Sequence, residues 1–451
     1  MYLSVSRRAV RAPLVLVFAL VLLMATLLVV PNPATAKGPP EPVRFATFNA
    51  SLNRDNAGDA LTHLSDPFDP LEPNVALRNF RKQAANVAEI IQRIRPQVVL
   101  INEFDFYADN ALAEAFQENY LSVSHNGTEA IEYPYVFVAE SNTGILPTPP
   151  ADDLLRYDFD NNGSFGRPGD AFGFGFFPGQ FGMAVFSQHP IITSEIRTFQ
   201  NFLWKDMPGA LLPDDPATTA APADWYSPAE LDIFRLSSKS HWDVPISIGG
   251  TTVHFLVSHP TPPVFDDPPA FPAGVDFNGR RNFDEIRLWA DYATPDAGGY
   301  IYDDAGVHGG LKPGSKFVIA GDQNSDPLDG DSIPGSIQQL LDNPRINTTV
   351  TPASLGAMEQ AALQGGINDD HLSPAQFDTA DFGDVAPGNL RADYVLPSRN
   401  LRIVDAAVFW PEITDPLFRL VFDASMRFGV ASSDHRLVWV DLVVPGSARG
   451  G

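Results

Sequence analysis

The chain has 451 residues, of which 44% are hydrophobic and 19% charged, so it is long enough to bury a large core. It contains no cysteine, which excludes disulfide bonds, a lipoprotein cysteine, a cysteine nucleophile and cysteine-ligated zinc. The formal net charge of -25 disfavours nucleic acid, because an acidic surface repels polyanions and releases few counterions on binding them. A bound cation can reverse the field locally, so nucleic acid stays open as a substrate.

The first 36 residues follow the pattern of an export signal. Three arginines precede an apolar stretch over residues 14–30, and the small residues 34–36 suit a cleavage site. A retained membrane anchor is the alternative, since a stretch of this length could just span a bilayer. The two prolines that follow the stretch favour cleavage. We therefore predict a signal peptide over 1–36, a secreted protein with no stable membrane span after cleavage, and one catalytic domain over 37–451.

Hydrophobic periodicity predicts the elements that follow. Residues 41–50 alternate as a first strand, 78–95 fit an amphipathic helix, and 97–102 form a buried strand. Residues 141–180, rich in Gly, Phe and Pro, are predicted to be a long inserted loop. Later predicted elements are a helix over 282–293 and strands over 182–187, 191–196, 237–244, 246–248, 253–258, 317–320, 394–396, 403–408 and 437–444. This succession suits a sandwich of two sheets with helices outside.

Six short polar motifs each end an apolar, strand-like run. They place carboxylates, amides and histidines at strand ends, where one cleft could gather them. Metal-assisted hydrolysis of phosphate esters requires these groups, because carboxylates hold a divalent cation, amides orient phosphate oxygens and a carboxylate–histidine pair moves protons. In chain order the motifs are Thr47-Phe-Asn49, Ile101-Asn-Glu103, Ser258-His259, Gly321-Asp-Gln-Asn324, Arg391-Ala-Asp393-Tyr394 and Ser433-Asp434-His435.

In this order and spacing, the motifs resemble those of the endonuclease/exonuclease/phosphatase superfamily, which has the deoxyribonuclease-I-like fold. The resemblance extends from about Val43 to Val444. It implies an α+β fold, a four-layer α/β/β/α sandwich of two mixed sheets flanked by helices, with long loop insertions. It also implies a Mg²⁺- or Mn²⁺-dependent phosphoric ester hydrolase in which water attacks phosphorus in line, without a covalent enzyme intermediate.

The resemblance implies a role for each residue of the first motifs. Glu103 and Asn49 would hold the divalent cation, and Asn102 stands where the family usually has Gln. Asp322 would orient or deprotonate the attacking water. Asn324 would hold a non-bridging phosphate oxygen as negative charge builds on it.

The remaining motifs supply the histidines and their partners. The resemblance implies that Asp393 orients His435, which acts as general base or stabilises the transition state. Asp434 would contact the metal or a network on the phosphate side. His259 fits a histidine that some family members use to protonate the leaving oxygen, and its Pro-rich context resembles the nuclease and phosphodiesterase branches more than the repair enzymes.

A weaker assignment concerns the start of the predicted helix over 282–293. Arg280, Arg281 and Asn282 lie where family members often place phosphate-facing polar residues. The alternative is a solvated surface, because basic pairs are common at the start of a helix. We therefore treat these three as candidate phosphate-binding residues.

The inserted loop carries two features of its own. Asp158, Asp160 and Asn162 place oxygens at alternate positions, which makes this loop a candidate Ca²⁺ site. An ordinary turn is the alternative, because Gly169 stands where an EF-hand has its closing glutamate. The aromatic run over 172–181 could contact a lipid or ring-bearing substrate, although core packing is the preferred interpretation.

The sequence leaves the substrate open. The acidic surface favours a small phosphoester or a lipid headgroup, whereas the predicted secretion and the context of His259 favour a scavenging nuclease. An alternative from another class is a catalytically inactive binding or adhesion module on the same fold. Against it, the residues that the chemistry needs are all present in the motifs. No protein partner is evident.

Overall fold

The computed structural model describes residues 41–148, 157–166, 168–218, 223–266, 271 and 274–447. The predicted signal peptide over 1–36 lies outside these residues, so it stays a prediction. Within the described ranges, no helix combines the length and the apolar character that crossing a membrane requires.

Two mixed β-sheets form the centre of the described part of the chain. Their strands are β1 (Val43–Asn49), β2 (Val98–Asn102), β3 (Tyr135–Phe137), β4 (Met183–Ser187), β5 (Arg197–Thr198), β6 (His241–Ile248), β7 (Thr251–Ser258), β8 (Lys316–Asp322), β9 (Asp393–Pro397), β10 (Arg402–Val408) and β11 (Val438–Val443). The first sheet has the order β10-β11-β1-β2-β4-β3, and the second has the order β5-β6-β7-β8-β9. Each sheet has a parallel pair, β1 with β2 and β7 with β8, and the other pairs are antiparallel.

Two long helices accompany these sheets. The α-helices of the described residues are α1 (Asp59–Leu64), α2 (Val75–Ile94), α3 (Ala111–Phe116), α4 (Pro228–Leu231), α5 (Phe277–Ala293), α6 (Gln338–Leu341) and α7 (Leu355–Gln364). Helix α2 begins after Asn74, whose side chain accepts hydrogen bonds from two amides of the first turn, and it ends at Arg95 in a left-handed conformation. Helix α5 begins after Asp276, whose side chain accepts from the amide of Gly279.

Alternation along the strands divides the core into three apolar layers. Between the sheets, Phe45 of β1 and Phe255 of β7 belong to one buried cluster. On the outer face of the first sheet, Phe48 packs in a cluster with residues of α2, and on the outer face of the second, Ile319 packs in a cluster with residues of α5. The predicted sandwich of two mixed sheets flanked by helices is therefore confirmed.

The predicted strand over 191–196 is wrong. Ile191 forms only an isolated bridge to Ile246, and residues 193–195 make a 3₁₀ turn before the two-residue strand β5. The two strands predicted over 237–248 are instead one strand, β6, which runs through Pro245. The carbonyl of Pro245 accepts from the amide of Ile192 at the edge of the sheet. Because the missing N–H of Pro245 points to the same edge, it costs no hydrogen bond inside the sheet.

Truncating a side chain between the sheets should destabilise the protein strongly. Phe45 and Phe255 are fully buried, and their ring centroids lie 5.6 Å apart. We expect Phe45→Ala to lower the free energy of unfolding by about 3–5 kcal/mol, through lost burial and the cavity left behind. Denaturant unfolding measures this. Phe428→Ala is the matched control, because Phe428 is 85% exposed. Equal and small losses in both variants would contradict the assigned core.

Candidate active site

The ends of five strands bring the polar motifs to one cavity. Strands β1, β2, β7, β8 and β9 each end or begin at a motif residue on the same edge of the sandwich. The cavity has a volume of about 1240 Å³. Its wall includes six of the predicted catalytic and metal-binding residues, namely Glu103, His259, Asp322, Asn324, Asp434 and His435.

Amide side chains join the carboxylates of the two sheets. Nδ2 of Asn49 donates to Oε1 of Glu103 at 3.1 Å and to Oδ2 of Asp322 at 3.0 Å. Asn49 therefore presents its amide nitrogen to the carboxylates, where the sequence predicted an oxygen ligand for the cation. Oδ1 of Asn102 accepts from Thr47 and from the amide of Asp322, each at 3.3 Å. Asn102 thus ties β1 and β2 to β8 across the sandwich.

His435 is held by two carboxylates. Its Nδ1 donates to Oδ2 of Asp393 at 2.8 Å, and its Nε2 lies 3.6 Å from Oδ2 of Asp322. The hydroxyl of Thr379 donates to the same oxygen of Asp393 at 2.8 Å, which fixes that carboxylate. Burial disfavours the imidazolium, but Asp393 and Asp322 outweigh burial and raise the pKa of His435 well above its usual value. The imidazolium form of His435 is therefore favoured.

His259, the second histidine of the site, favours its neutral form. Nε2 of His259 lies 3.4 Å from Oδ2 of Asp322. Burial, and then the positive charges of Lys239 and His435, lower the pKa of His259 well below its usual value. Burial also raises the pKa of Asp322 to about 7. The lowered pKa favours the neutral imidazole of His259, whereas the resemblance implied a proton donor at this position.

The backbone around Asn324 and Asp434 is fixed by neighbouring polar groups. Asn324 has a φ of 51°, its amide donates to Oδ1 of Asp322 at 2.9 Å, and its Nδ2 donates to the carbonyl of Pro260 at 3.1 Å. Ser433 donates to the carbonyl of Asn49 at 2.7 Å, which joins the closing motif to the end of β1. Asn324 and Asp434 both line the cavity wall.

Two groups of side chains at the site could take a divalent cation. Ligand atoms of Asp322, Asp393 and His435 lie within 4.8 Å of one another. Because His435 favours its charged form and is bonded to Asp393, that group is poorly suited to a cation. Glu103 fits a metal better. Burial, and then the carboxylate of Asp434, raise the pKa of Glu103, and a cation beside both carboxylates would remove that repulsion.

The candidate phosphate-binding residues of α5 have structural contacts. The guanidinium of Arg281 donates to the backbone carbonyls of Phe172, Arg235 and Leu236. Asn282 is fully buried, and its Nδ2 donates to the carbonyls of two loops beside the site. Of the set Arg280, Arg281 and Asn282, Arg281 alone lines the cavity. The contacts of Arg281 and Asn282 position loops, which differs from the predicted phosphate contact.

The inserted loop brings three acidic residues together, and two of them, Asp160 and Asp170, line the same cavity. Carboxylate oxygens of Asp158, Asp160 and Asp170 lie within 4.8 Å of one another. Burial raises the pKa of Asp170 to about 6, with a further contribution from Asp160. Asn162, predicted as a ligand, donates to Asp160 at 2.8 Å through its Nδ2. An oxygen cluster of this kind suits a hard cation.

Sequence reasoning missed two charged residues beside the site. Lys239 is 7% exposed and lines the cavity, and Glu285 of α5 is fully buried. Both oxygens of Glu285 accept from backbone amides, those of Ser238 and Thr261, each at 2.6 Å. Lys239 lies in the polar run Ser237-Ser-Lys-Ser240 at the start of the predicted strand over 237–244, so no apolar context in the sequence singles it out.

The described part of the chain is thus a two-sheet sandwich with carboxylates, amides and histidines gathered at one edge. The chain belongs to the endonuclease/exonuclease/phosphatase family, whose model matches residues 46–435. Members of this family hydrolyse phosphate esters. A comparison with curated proteins finds no match.

Solved structures resemble the chain at low sequence identity. An endonuclease/exonuclease/phosphatase from Beutenbergia cavernae is 15% identical, with 90% of this chain and 72% of that chain covered and a TM-score of 0.45. A family protein from Leptotrichia buccalis is 13% identical, with coverage of 89% and 99% and a TM-score of 0.41. Sphingomyelinase C from Streptomyces griseocarneus is 14% identical, with coverage of 89% and 99% and a TM-score of 0.38.

Proposed function

We propose that this protein is a secreted, divalent-metal-dependent phosphoesterase that hydrolyses a small or lipid-headgroup phosphate ester. The choice of substrate rests on the composition of the cavity wall. The polar residues occupy one part of the wall, and much of the rest is aromatic. The aromatic residues include Phe165, Phe174, Phe181, Phe265, Phe271 and Phe382. Phe174 and Phe265 are 58% and 77% exposed. An apolar cavity favours an ester with an apolar or aromatic group over duplex nucleic acid.

The acidic charge supports the same choice. Without residues 1–36, the chain would lose three arginines and no acid, so the exported protein would be more acidic than -25. Duplex nucleic acid is held mainly by cationic contacts to its phosphates, which such a surface does not supply. A single phosphate ester needs only a local site of positive potential.

The residues of the site would share the reaction as follows. Asp322, with a pKa of about 7, would accept the proton of the attacking water. The imidazolium of His435 and the amide of Asn324 would donate to the phosphate oxygens, where negative charge builds in the transition state. Asp393 would keep His435 charged and oriented through the 2.8 Å bond to Nδ1.

A bound Mg²⁺ or Mn²⁺ would polarise the phosphate and offset the charge on the leaving oxygen. Glu103 and Asp434 would hold it, and Asn49 would orient Glu103 through the bond to its carboxylate. The cluster of Asp158, Asp160 and Asp170 would take a Ca²⁺ ion that fixes the inserted loop against the cavity.

Three substrates, assayed side by side with Mg²⁺, Mn²⁺ and Ca²⁺ supplied, test the proposal. They are bis-p-nitrophenyl phosphate, p-nitrophenyl phosphate and plasmid DNA. We expect turnover of at least one small ester and little cleavage of the plasmid. Plasmid cleavage that exceeds ester turnover, and that is lost in His435→Ala, would make the protein a nuclease instead. No activity on any of the three substrates would favour the catalytically inactive binding module.

A further inference from the structure

Several residues that line the cavity carry buried polar atoms without partners among the described residues. Ser238 Oγ, His259 Nδ1 and Thr261 Oγ1 are buried and make no hydrogen bond to any described residue. Their residues are 4%, 4% and 7% exposed. Lys239, which is 7% exposed, has no hydrogen bond or ion pair from its ammonium group to the described part of the chain. All four residues line the cavity. Because buried donors normally have partners, this cluster indicates a ligand.

The backbone of this cluster is preformed. Glu285 accepts from the amide of Ser238 with one carboxylate oxygen and from the amide of Thr261 with the other, each at 2.6 Å. The carbonyl of Lys239 accepts from the amide of Asn142 at 2.8 Å. Three loops are therefore held in place before any ligand binds, which lowers the ordering cost of binding.

The donor groups of this cluster, one ammonium and two hydroxyls, favour an anion as that ligand. The ammonium group feels the carboxylates of Glu285, Glu103 and Asp322, and its positive charge in turn lowers the pKa of His259. Burial lowers the pKa of Lys239, and an anion beside the ammonium group would favour its charged form. A phosphate oxygen would accept from the ammonium and from both hydroxyls, which a ligand without acceptor oxygens cannot do.

We propose that Lys239, together with the hydroxyls of Ser238 and Thr261, forms an anion subsite that holds the phosphate group of the substrate beside His259. This rests on the proposed function for the identity of the ester, but the binding of a phosphate group does not require turnover. The subsite would supply a fixed positive charge in addition to the divalent cation. Glu285 is its positioning residue.

Calorimetric titration with inorganic phosphate, in the presence of Mg²⁺, tests the subsite. We expect Lys239→Met to weaken phosphate binding by about ten-fold or more, because a charge-assisted hydrogen bond is lost. Thr261→Val, which keeps the shape of the side chain, should weaken it by about three-fold. Lys239→Arg should retain more affinity than Lys239→Met. Lys312→Met is the matched control, because Lys312 is exposed and lies outside the cavity wall.

Two results would overturn the subsite. One is phosphate affinity in Lys239→Met equal to that of the wild type, and the other is no measurable phosphate binding by the wild type. Thermal unfolding shows whether each variant folds. If Lys239→Met does not fold, the phosphate affinities of Thr261→Val and Ser238→Ala are measured instead. Unchanged affinity in both of these variants would reject the subsite. Phosphate binding through Lys239 without ester turnover would keep the subsite and reject the proposed function. Ester turnover by the wild type, together with unchanged phosphate affinity in Lys239→Met, would keep the proposed function and reject the subsite.

Discussion

Replacing His435 by Ala is expected to lower kcat by about 1000-fold, the scale of a lost general acid–base or charged group at a reacting phosphate. The imidazolium of His435 is bonded to Asp393 at 2.8 Å and lies 3.6 Å from Asp322. Its removal takes away the charge that stabilises the transition state. It also leaves the carboxylate of Asp393 buried without its main partner, so we expect a loss of about 1–3 kcal/mol in stability. Steady-state kinetics and denaturant unfolding measure the two effects.

Two further variants separate chemistry from folding in this experiment. His435→Asn keeps a hydrogen-bond donor for Asp393, so it should recover stability without recovering kcat. His308→Ala is the matched control, because His308 is exposed and lies outside the cavity wall. Near-wild-type turnover in His435→Ala would remove His435 from the reaction and, with it, the assignment of the closing motif.

Metal removal is expected to abolish turnover. EDTA should stop hydrolysis, and excess Mg²⁺ or Mn²⁺ should restore it, because the metal polarises the phosphate. In Glu103→Gln, we expect the concentration of Mg²⁺ that gives half-maximal activity to rise by at least about 100-fold, since the variant loses a carboxylate ligand. The same variant relieves the repulsion with Asp434 that raises the pKa of Glu103. It should therefore be at least as stable as the wild type without added metal.

The control for this experiment is Glu114→Gln, an exposed acid of α3. It should leave the metal requirement unchanged. Full activity after thorough removal of metal would reject the metal mechanism. An unchanged Mg²⁺ requirement in Glu103→Gln would move the cation to another group, and the cluster of Asp322, Asp393 and His435 would then be the first alternative.

Much of the fold was predictable because its elements carry strong periodic patterns. Strand β1, helix α2 and strand β2 follow the predicted alternation and helical spacing, and the inserted loop was indicated by its Gly and Pro content. Boundaries were less accurate, since α2 begins three residues earlier than predicted, after the side chain of Asn74 caps it. The strand over 191–196 failed because an apolar pair, Ile191 and Ile192, was followed by polar residues that turn the chain.

The position of the motifs was predictable, whereas their contacts were not. Strand-end residues of both sheets meet at one edge, so the motifs could be expected to share a cleft. The role of Asn49 depends on which end of its amide faces Glu103, and the charges of His259 and His435 depend on burial and neighbouring groups. The place of Lys239 at the site could not be predicted, because its loop is fixed by Glu285. That residue is 46 positions away, on a helix.

The most direct test of the account is the metal-dependent hydrolysis of bis-p-nitrophenyl phosphate by the wild type and by Asp322→Asn. Asp322 contacts Asn49 and lies near both histidines, and the proposed mechanism makes it the acceptor of the proton from the attacking water. We predict turnover by the wild type with Mg²⁺ or Mn²⁺, none after EDTA, and a loss of at least about 100-fold in kcat for the variant. Turnover by Asp322→Asn at the wild-type rate would contradict the assigned active site.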